Sequence, residues 1–255
     1  MKTTLDILAI GATGSVGRYV VEAALARGHR VRALVRHAGR ADLPAAAERV
    51  TGDLTEPGSL RAALEGVEAV VFTHGTHGAP SAAEAVDYAG VRNVLAALGG
   101  SKPHIALMTA IGVTDRKGAH DWKRRAERLV RASGCPYTIV RPGWFDYNDA
   151  GQQRLVFLQG DGRQTGTPSD GAIARQQIAT VLVDSLTSVA ARRKTFELVA
   201  ERGPAQADME PLFAAVAPDR PGALDGVGDS ANMPLEDEPR SALTDLEAID
   251  ARCRT

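Results

Sequence analysis

Two kinds of segment alternate along this chain. Short, nearly continuous apolar runs stand at Leu5–Ile10, Arg30–Arg36 ("RVRALVR"), Glu68–Thr73 ("EAVVFT"), His104–Thr109 ("HIALMT") and Tyr137–Arg141 ("YTIVR"), with a shorter one in "RVTGDL". Runs of this length, bounded by turn residues, predict strands buried on both faces. Between them the apolar positions recur at helical spacing. Gly17–Arg27 carries Val20, Val21, Ala24 and Leu25 on one face and stops at Gly28. A short helix follows Ser59, its expected cap. Ser81 with Glu84 predicts a capping box for a helix reaching Leu98, and a helix over Asp121–Ser133 closes at Gly134.

Strands alternating with helices predict right-handed βαβ units and a doubly wound parallel sheet, an α/β fold. After Gly151 the regularity weakens. A polar, Gly-rich loop precedes a helix near Ala172–Leu186, a strand over Thr195–Val199 and helical patterns at 208–216 and 241–252. Residues 1–150 are therefore expected to form the main unit. Residues 151–255 are expected to be a small annex of the same structural unit, covering the crevice at the C-terminal edge of the sheet.

At 255 residues the chain can bury a full core, and its 44% hydrophobic and 24% charged residues suit a soluble globular protein. No stretch approaches the roughly eighteen apolar residues of a membrane span, and the first residues lack a basic-then-apolar signal pattern. Cys135 and Cys253 form no C-x-x-C pair. A cytoplasmic protein with no membrane partner is the expectation. The net charge of −1 conceals an asymmetry: from Glu201 onward 12 acidic residues face 5 basic ones, leaving about +6 on residues 1–200. A mildly basic body suits an anionic ligand, but lacks the clustered Lys/Arg that nucleic acid requires. The acidic tail reads as solvated surface.

Directly after the first strand and before the first helix stands "GATGSVG", Gly11–Gly17. In that context a Gly-rich turn lets backbone N–H groups and a helix N-terminus meet a pyrophosphate, with Thr13 and Ser15 adding hydroxyl donors. The alternative is an ordinary tight turn. Strand, helix and second strand in register favour dinucleotide binding, which makes residues 1–150 a Rossmann-type NAD(P)-binding domain. Position 36, nineteen residues past Gly17, decides the coenzyme. An acidic residue there would hold a ribose 2′-hydroxyl; this chain has Arg36, with Arg40 behind it and Arg18 nearby. A guanidinium suits a 2′-phosphate, so NADP(H) is expected unless Arg36 simply points to solvent.

The spacing G-x-x-G-x-x-G, with "GDL" at 52–54, "VDYAGVRNVLAAL" at 86–98, "LMTAIGV" at 107–113, "WKRRAERLVRASG" at 122–134 and "YTIVRPGW" at 137–144, resembles the short-chain dehydrogenase/reductase superfamily, in particular its atypical NAD(P)H-binding, NmrA-like branch. The resemblance covers most of residues 5–200. It implies that the turn, Val16 included, holds the coenzyme. It also implies that Asp53 and Leu54 lie by the adenine, that Thr73, His74 and Gly75 pass the adenosine ribose, and that Pro142 is among the coenzyme-binding residues. His74 and His77 lack further ligands at metal spacing, so no metal is expected.

Carbonyl-reducing members of the family use a Ser, a Tyr acid and a Lys four residues after it, the Lys holding the nicotinamide ribose and lowering the Tyr pKa. Lys123 in "WKRRAE" matches that Lys, but Ala119 stands at the Tyr position, and the Ser position falls on Thr109 or Ala110. Substitute acids are His120, three residues before Lys123, and Tyr147; the plainer readings are a surface histidine and loop packing. Lys123 itself has a plainer reading, as a solvated lysine among Arg124, Arg125 and Arg128. Quinones and oxidised flavins yield anions that solvent can protonate, so positioning can supply most of the catalysis. Trp144 and Phe145 either floor a pocket for such a flat acceptor or plug the core, and Arg141 faces either a cofactor phosphate or a substrate anion. The expected function is NADPH-dependent reduction of a small conjugated or aromatic acceptor. A non-catalytic NADP(H) sensor acting through a protein partner is the alternative, and a sugar-nucleotide epimerase is weakened by the missing Tyr. An oligomer stays open.

Overall fold

A computed structural model describes residues 4–76 and 79–253. In chain order the first half gives β1 (Asp6–Ile10), α1 (Gly17–Ala26), β2 (Arg30–Val35), β3 (Glu48–Thr51), α2 (Arg61–Leu64), β4 (Ala69–Phe72), α3 (Pro80–Ala82), α4 (Ala89–Ala97), β5 (His104–Met108), α5 (Ala119–Ala132) and β6 (Tyr137–Pro142). The second half gives β7 (Trp144–Phe145), β8 (Arg154–Leu158), β9 (Ala172–Ile173), α6 (Arg175–Ser185), β10 (Lys194–Glu201), α7 (Glu210–Ala215) and α8 (Arg240–Cys253). The main sheet has the order β3-β2-β1-β4-β5-β6-β10-β8. Its pairings are parallel except that of β8, which lies antiparallel to β10 at the edge. β7 and β9 pair separately.

The apolar strands have helices on both faces. In β1, Ile7 and Ala9 enter a core shared with Val20 and Val21 of α1 and Val181 and Leu182 of α6. Leu8 and Ile10 enter the opposite core with Val91 and Val94 of α4 and Leu129 and Val130 of α5. Strand order reverses between β1 and β4, and at such a switch point a parallel α/β sheet opens its crevice. Beyond β6, residues 154–201 supply β8, α6 and β10 to the same sheet, while residues 202–253 carry α7 and α8.

Several local expectations are corrected. β8, the sequence "RLVFL", lies where a loop was expected, and the helix expected from Ala172 begins at Arg175 after the two residues of β9. Ser81 and Glu84 form no capping box: Pro80 occupies the first turn, where its missing N–H costs nothing. Ser59 caps no helix either. Its hydroxyl accepts from the Asp53 N–H at 2.9 Å and donates to the Glu56 carbonyl at 2.7 Å.

The arginines of α5 do not face solvent, and the acidic tail is only partly a solvated surface: Asp208, Glu210, Glu236, Asp237 and Glu247 are exposed, while Asp219, Asp225, Asp229 and Glu238 meet arginines. Arg124 and Arg128 each bond Asp225, at 3.0 and 2.7 Å, and Arg125 bonds Glu238 at 2.7 Å. Deeper, Glu127 lies between Arg141 at 2.7 Å and Arg131 at 3.2 Å. Arg141 also reaches Asp229 at 2.7 Å and Glu197 at 3.3 Å, and Arg131 reaches Asp219 at 3.3 Å. Arg141 therefore faces neither a cofactor phosphate nor a substrate; it is fully buried in this network. Burial alone would raise Glu127, but the charges of Arg141 and Arg131 outweigh it and hold the carboxyl below its ordinary range. Burial also opposes ionisation of Asp229, yet its hydrogen bonds to Arg141 bring it down to about 2.

Removing one partner of such a network strands buried charge. Glu127→Ala should destabilise the protein by about 3–5 kcal/mol, read as a lower urea midpoint; an unchanged midpoint would show that the network contributes nothing. Because Asp229 titrates below its ordinary 3.8 when folded, its contribution is complete above about pH 4 and is lost as pH falls towards 2. Asp229→Asn should flatten that acid limb of the stability profile.

Candidate active site

The turns at the C-terminal ends of β1 to β5 surround a cleft of 1070 Å³. Gly11, Thr13, Gly14, Ser15 and Val16 line it after β1, Arg36 after β2, Asp53 and Leu54 after β3, and Thr73, His74 and Gly75 after β4. Thr109 and Ala110 follow β5, and α5 contributes Ala119, His120 and Lys123. The three glycines of the turn have separate reasons. Gly11 has φ +79°, and a Cβ would sit 2.6 Å from the His74 nitrogen. Gly17 does not line the cleft; it is buried, and a Cβ there would run into the Gly11 carbonyl. Gly14 faces outward, and a Cβ would meet only the Gly11 oxygen, at 3.0 Å. Packing explains Gly11 and Gly17, whereas Gly14 keeps the cleft floor bare.

Above that floor α1 starts at Val16 with no side-chain cap and no acid in its first turn. Uncapped N–H groups and the positive end of the helix dipole suit a pyrophosphate, and the residues present fit a dinucleotide. Arg36 is exposed at the mouth. Asp53 nearby accepts from the Thr55 backbone and hydroxyl at 2.9 and 2.8 Å, which holds its carboxyl below the ordinary range. Asn93 of α4, unnoticed in the sequence, donates to the Leu54 carbonyl at 2.6 Å and fixes the "GDL" turn. The Thr73 hydroxyl donates to the Ile10 carbonyl at 3.0 Å. His74 Nε2 meets the Val86 carbonyl at 3.1 Å, and burial pushes this imidazole down to about 4, so it is neutral at pH 7. Arg18 is exposed outside the cleft lining, while His77 and the Arg40 side chain lie outside the described parts. Among the described residues no group of three His, Cys, Asp or Glu could hold a metal.

Lys123 is not solvated. Its ammonium pairs with Asp87, which also accepts from the Thr76 hydroxyl at 2.5 Å and the Thr76 N–H at 3.2 Å. Asp87 escaped the sequence reading because it lies in a π-helical turn, Ala83–Tyr88, between α3 and α4. Such a turn shifts side chains out of α-helical phase and is frequent at functional sites. Thr109 lines the cleft, yet its hydroxyl donates to Glu127 at 2.7 Å, so it presents lone pairs rather than a proton. His120 lies in the first turn of α5 with Nδ1 2.9 Å from the Gly112 carbonyl.

A second cavity of 350 Å³ adjoins the first, and Ala110, Lys117, His120 and Phe145 line both. Pro142 lies on this second side, apart from the dinucleotide cleft. Trp144 and Tyr147 form its aromatic wall, edge to face at 5.9 Å and 36% and 64% exposed. Trp144 is thus wall rather than core plug. Phe145 does both, since it also packs on the core below the Arg175 guanidinium, 5.2 Å from its ring.

The sheet, the glycine turn and the crevice are those of an NAD(P)H-binding protein. The chain belongs to the NAD(P)H-binding family, whose model matches residues 11–188. It is 29% identical over 265 residues to sanguinarine reductase of Eschscholzia californica, covering 83% of this chain and 96% of that protein. It is 30% identical over 216 residues to the photosystem II assembly factor Ycf39 of Cyanophora paradoxa, covering 80% of this chain and 66% of that protein. Among solved structures, a wide-type short-chain dehydrogenase/reductase of Veillonella parvula in complex with NADP superposes with a TM-score of 0.60 at 18% identity, covering 81% of this chain and 98% of that one.

The three glycines separate by experiment. Gly14→Val should abolish coenzyme binding in calorimetry with little change in melting temperature, whereas Gly17→Ala should lower the melting temperature. Normal binding by the Gly14 variant would mean that nothing passes close to that backbone. Arg36→Asp should weaken NADPH binding by about 1.5–3 kcal/mol, the size of a charge-assisted hydrogen-bonded pair, and NADH binding much less. Equal losses would place Arg36 away from the 2′-phosphate.

Proposed function

We propose that this protein reduces a small conjugated acceptor, of quinone or flavin type, with NADPH as hydride donor. The observation that carries the reading is the junction between the two cavities. Ala119 stands where a catalytic phenol would, while His120 lines both spaces and an aromatic wall borders the outer one. Bound NADPH would supply two electrons and one proton as hydride. Gly11–Val16 and the α1 N-terminus would hold its pyrophosphate and Arg36 its 2′-phosphate, and Lys123, steadied by Asp87, would fix the nicotinamide ribose.

His120 is the group placed to return the second proton. A carbonyl only accepts, so Nδ1 carries a hydrogen towards Gly112, and Nε2 is left for the cavities. In the imidazolium form Nε2–H donates to the oxyanion or nitrogen anion left on the reduced acceptor. Trp144 and Tyr147 offer faces against which a flat acceptor stacks, and proximity supplies much of the rate. Arg36 at the mouth and the NADP named for the Veillonella structure support the coenzyme choice. A sensor that binds NADPH without turnover is the reading that failure would bring forward.

A panel of acceptors tests this. NADPH oxidation should proceed with a quinone or free flavin and be weak with simple aldehydes and ketones. Lys123→Ala should lower kcat more than it weakens coenzyme binding. Tight NADPH binding with no acceptor reduced above background would overturn the enzyme reading, and rapid ketone reduction would overturn the choice of acceptor.

A further inference from the structure

Asp161 lies in the segment after β8 and has no part in the crevice lining, yet its surroundings are unusual. It is fully buried and holds φ +48°, a conformation seldom adopted by a residue with a side chain. Its carboxylate accepts from the Gly112 N–H at 2.6 Å, the Thr114 N–H at 2.7 Å and the Thr114 hydroxyl at 2.9 Å. Its own N–H donates to Glu197 of β10 at 3.1 Å, and Gln164 bridges its carbonyl to the Thr114 hydroxyl at 2.8 and 2.7 Å. One charged group from a distant segment thus clamps the turn that follows β5. Gly112 at the centre of that turn has φ +74°, and a Cβ on it would meet nothing within 4 Å, so the glycine serves the backbone angle and not packing. The Gly112 carbonyl, held on the other side of this residue, receives His120 Nδ1 at 2.9 Å.

We infer that Asp161 is the positioning residue for His120: by clamping Gly112 and Thr114 it aims the Gly112 carbonyl at Nδ1, fixes the Nδ1–H tautomer and leaves Nε2 to the junction of the two cavities. Which imidazole nitrogen carries the proton is set by the bond the other one makes. A carboxylate with three donors holds the turn more firmly than neutral partners would. The same geometry serves both protonation states, because Nδ1 is a donor in each and only Nε2 changes role. The inference rests on the role given to His120 above, but its structural half is readable without turnover.

The experiment uses the full chain. In the unmodified protein, 15N NMR of histidine should show His120 with its neutral-state proton on Nδ1; a proton on Nε2 would overturn the inference whether or not any acceptor is reduced. Asp161→Asn places an NH2 group against the N–H donors, and should mix the tautomers and lower kcat for quinone reduction about 10–100-fold, the scale of an ångström-level misplacement. Calorimetry should find NADPH affinity unchanged within about twofold, since the groups given to its phosphates stand on the turns after β1 and β2, away from Gly112 and Thr114. In a His120→Ala background, Asp161→Asn should produce no further fall in kcat. A further fall of the same size would show that Asp161 acts on the fold and not through His120. If Asp161→Asn fails to fold, the tautomer of the unmodified protein decides alone. If no acceptor is reduced, the proposed function fails while the tautomer still tests the clamp.

Discussion

A carboxylate with no exposure, held between two guanidiniums, ties the C-terminal tail to the helix and strands that border the crevice. Glu127 belongs to α5, Arg141 to β6, and the acids that balance the surplus positive charge come from β10 and from residues 219–229. Each ion has lost its hydration, so the arrangement is tolerable only if every charge is answered at once. The requirement brings the tail back across α5. It also sets Thr109, whose hydroxyl proton is drawn to Glu127 and away from the crevice. The chemistry available at the end of β5 is thus shaped by an ion pair inside the molecule.

On the other flank the crevice is held by neutral and singly paired groups. Asn93 fixes one turn, Asp87 links another to Lys123, and His74 stays uncharged below them. The coenzyme side therefore presents mostly backbone and hydroxyls, the floor a dinucleotide needs, and its principal ammonium is already oriented. The outer cavity differs, lined by the exposed rings of Trp144 and Tyr147 and the imidazole of His120. That division of labour favours orientation and stacking over strong acid catalysis.

Much of this was legible in the sequence because it depends on local pattern. Apolar runs bounded by glycine gave the strands β1, β2, β4, β5 and β6, and the turn before α1 announced its ligand through its position. Most of the expected site residues do meet in one cleft, since each follows a strand end on the same edge of the sheet. Gly17 and Pro142 do not, the first lying beneath the turn and the second across the junction. What was not legible depends on partners far along the chain. Arg124, Arg125 and Arg128 looked like a charged helix face because their acids stand about a hundred positions away; Arg141 looked like a ligand because its acids are scattered over three segments, 14, 56 and 88 positions off. Asp87 was hidden by a change of helical period, and β8 by a five-residue run too short to stand out beside its glycines.

The distance between α5 and its counter-ions has a consequence during synthesis. Arg124 and Asp225 are 101 residues apart, and chains leave the ribosome at about 5–20 residues per second. For some 5–20 seconds, therefore, a nascent chain carries the whole coenzyme-binding turn and an arginine-rich helix without the acids at positions 219–238 that answer it. Five cations, Lys123, Arg124, Arg125, Arg128 and Arg131, stand on that one emerging helix, and clustered charge of one sign attracts polyanions. The final fifty residues supply those acids, so a transcript cut short before them would yield a polypeptide with its strands complete and its interior charges unanswered.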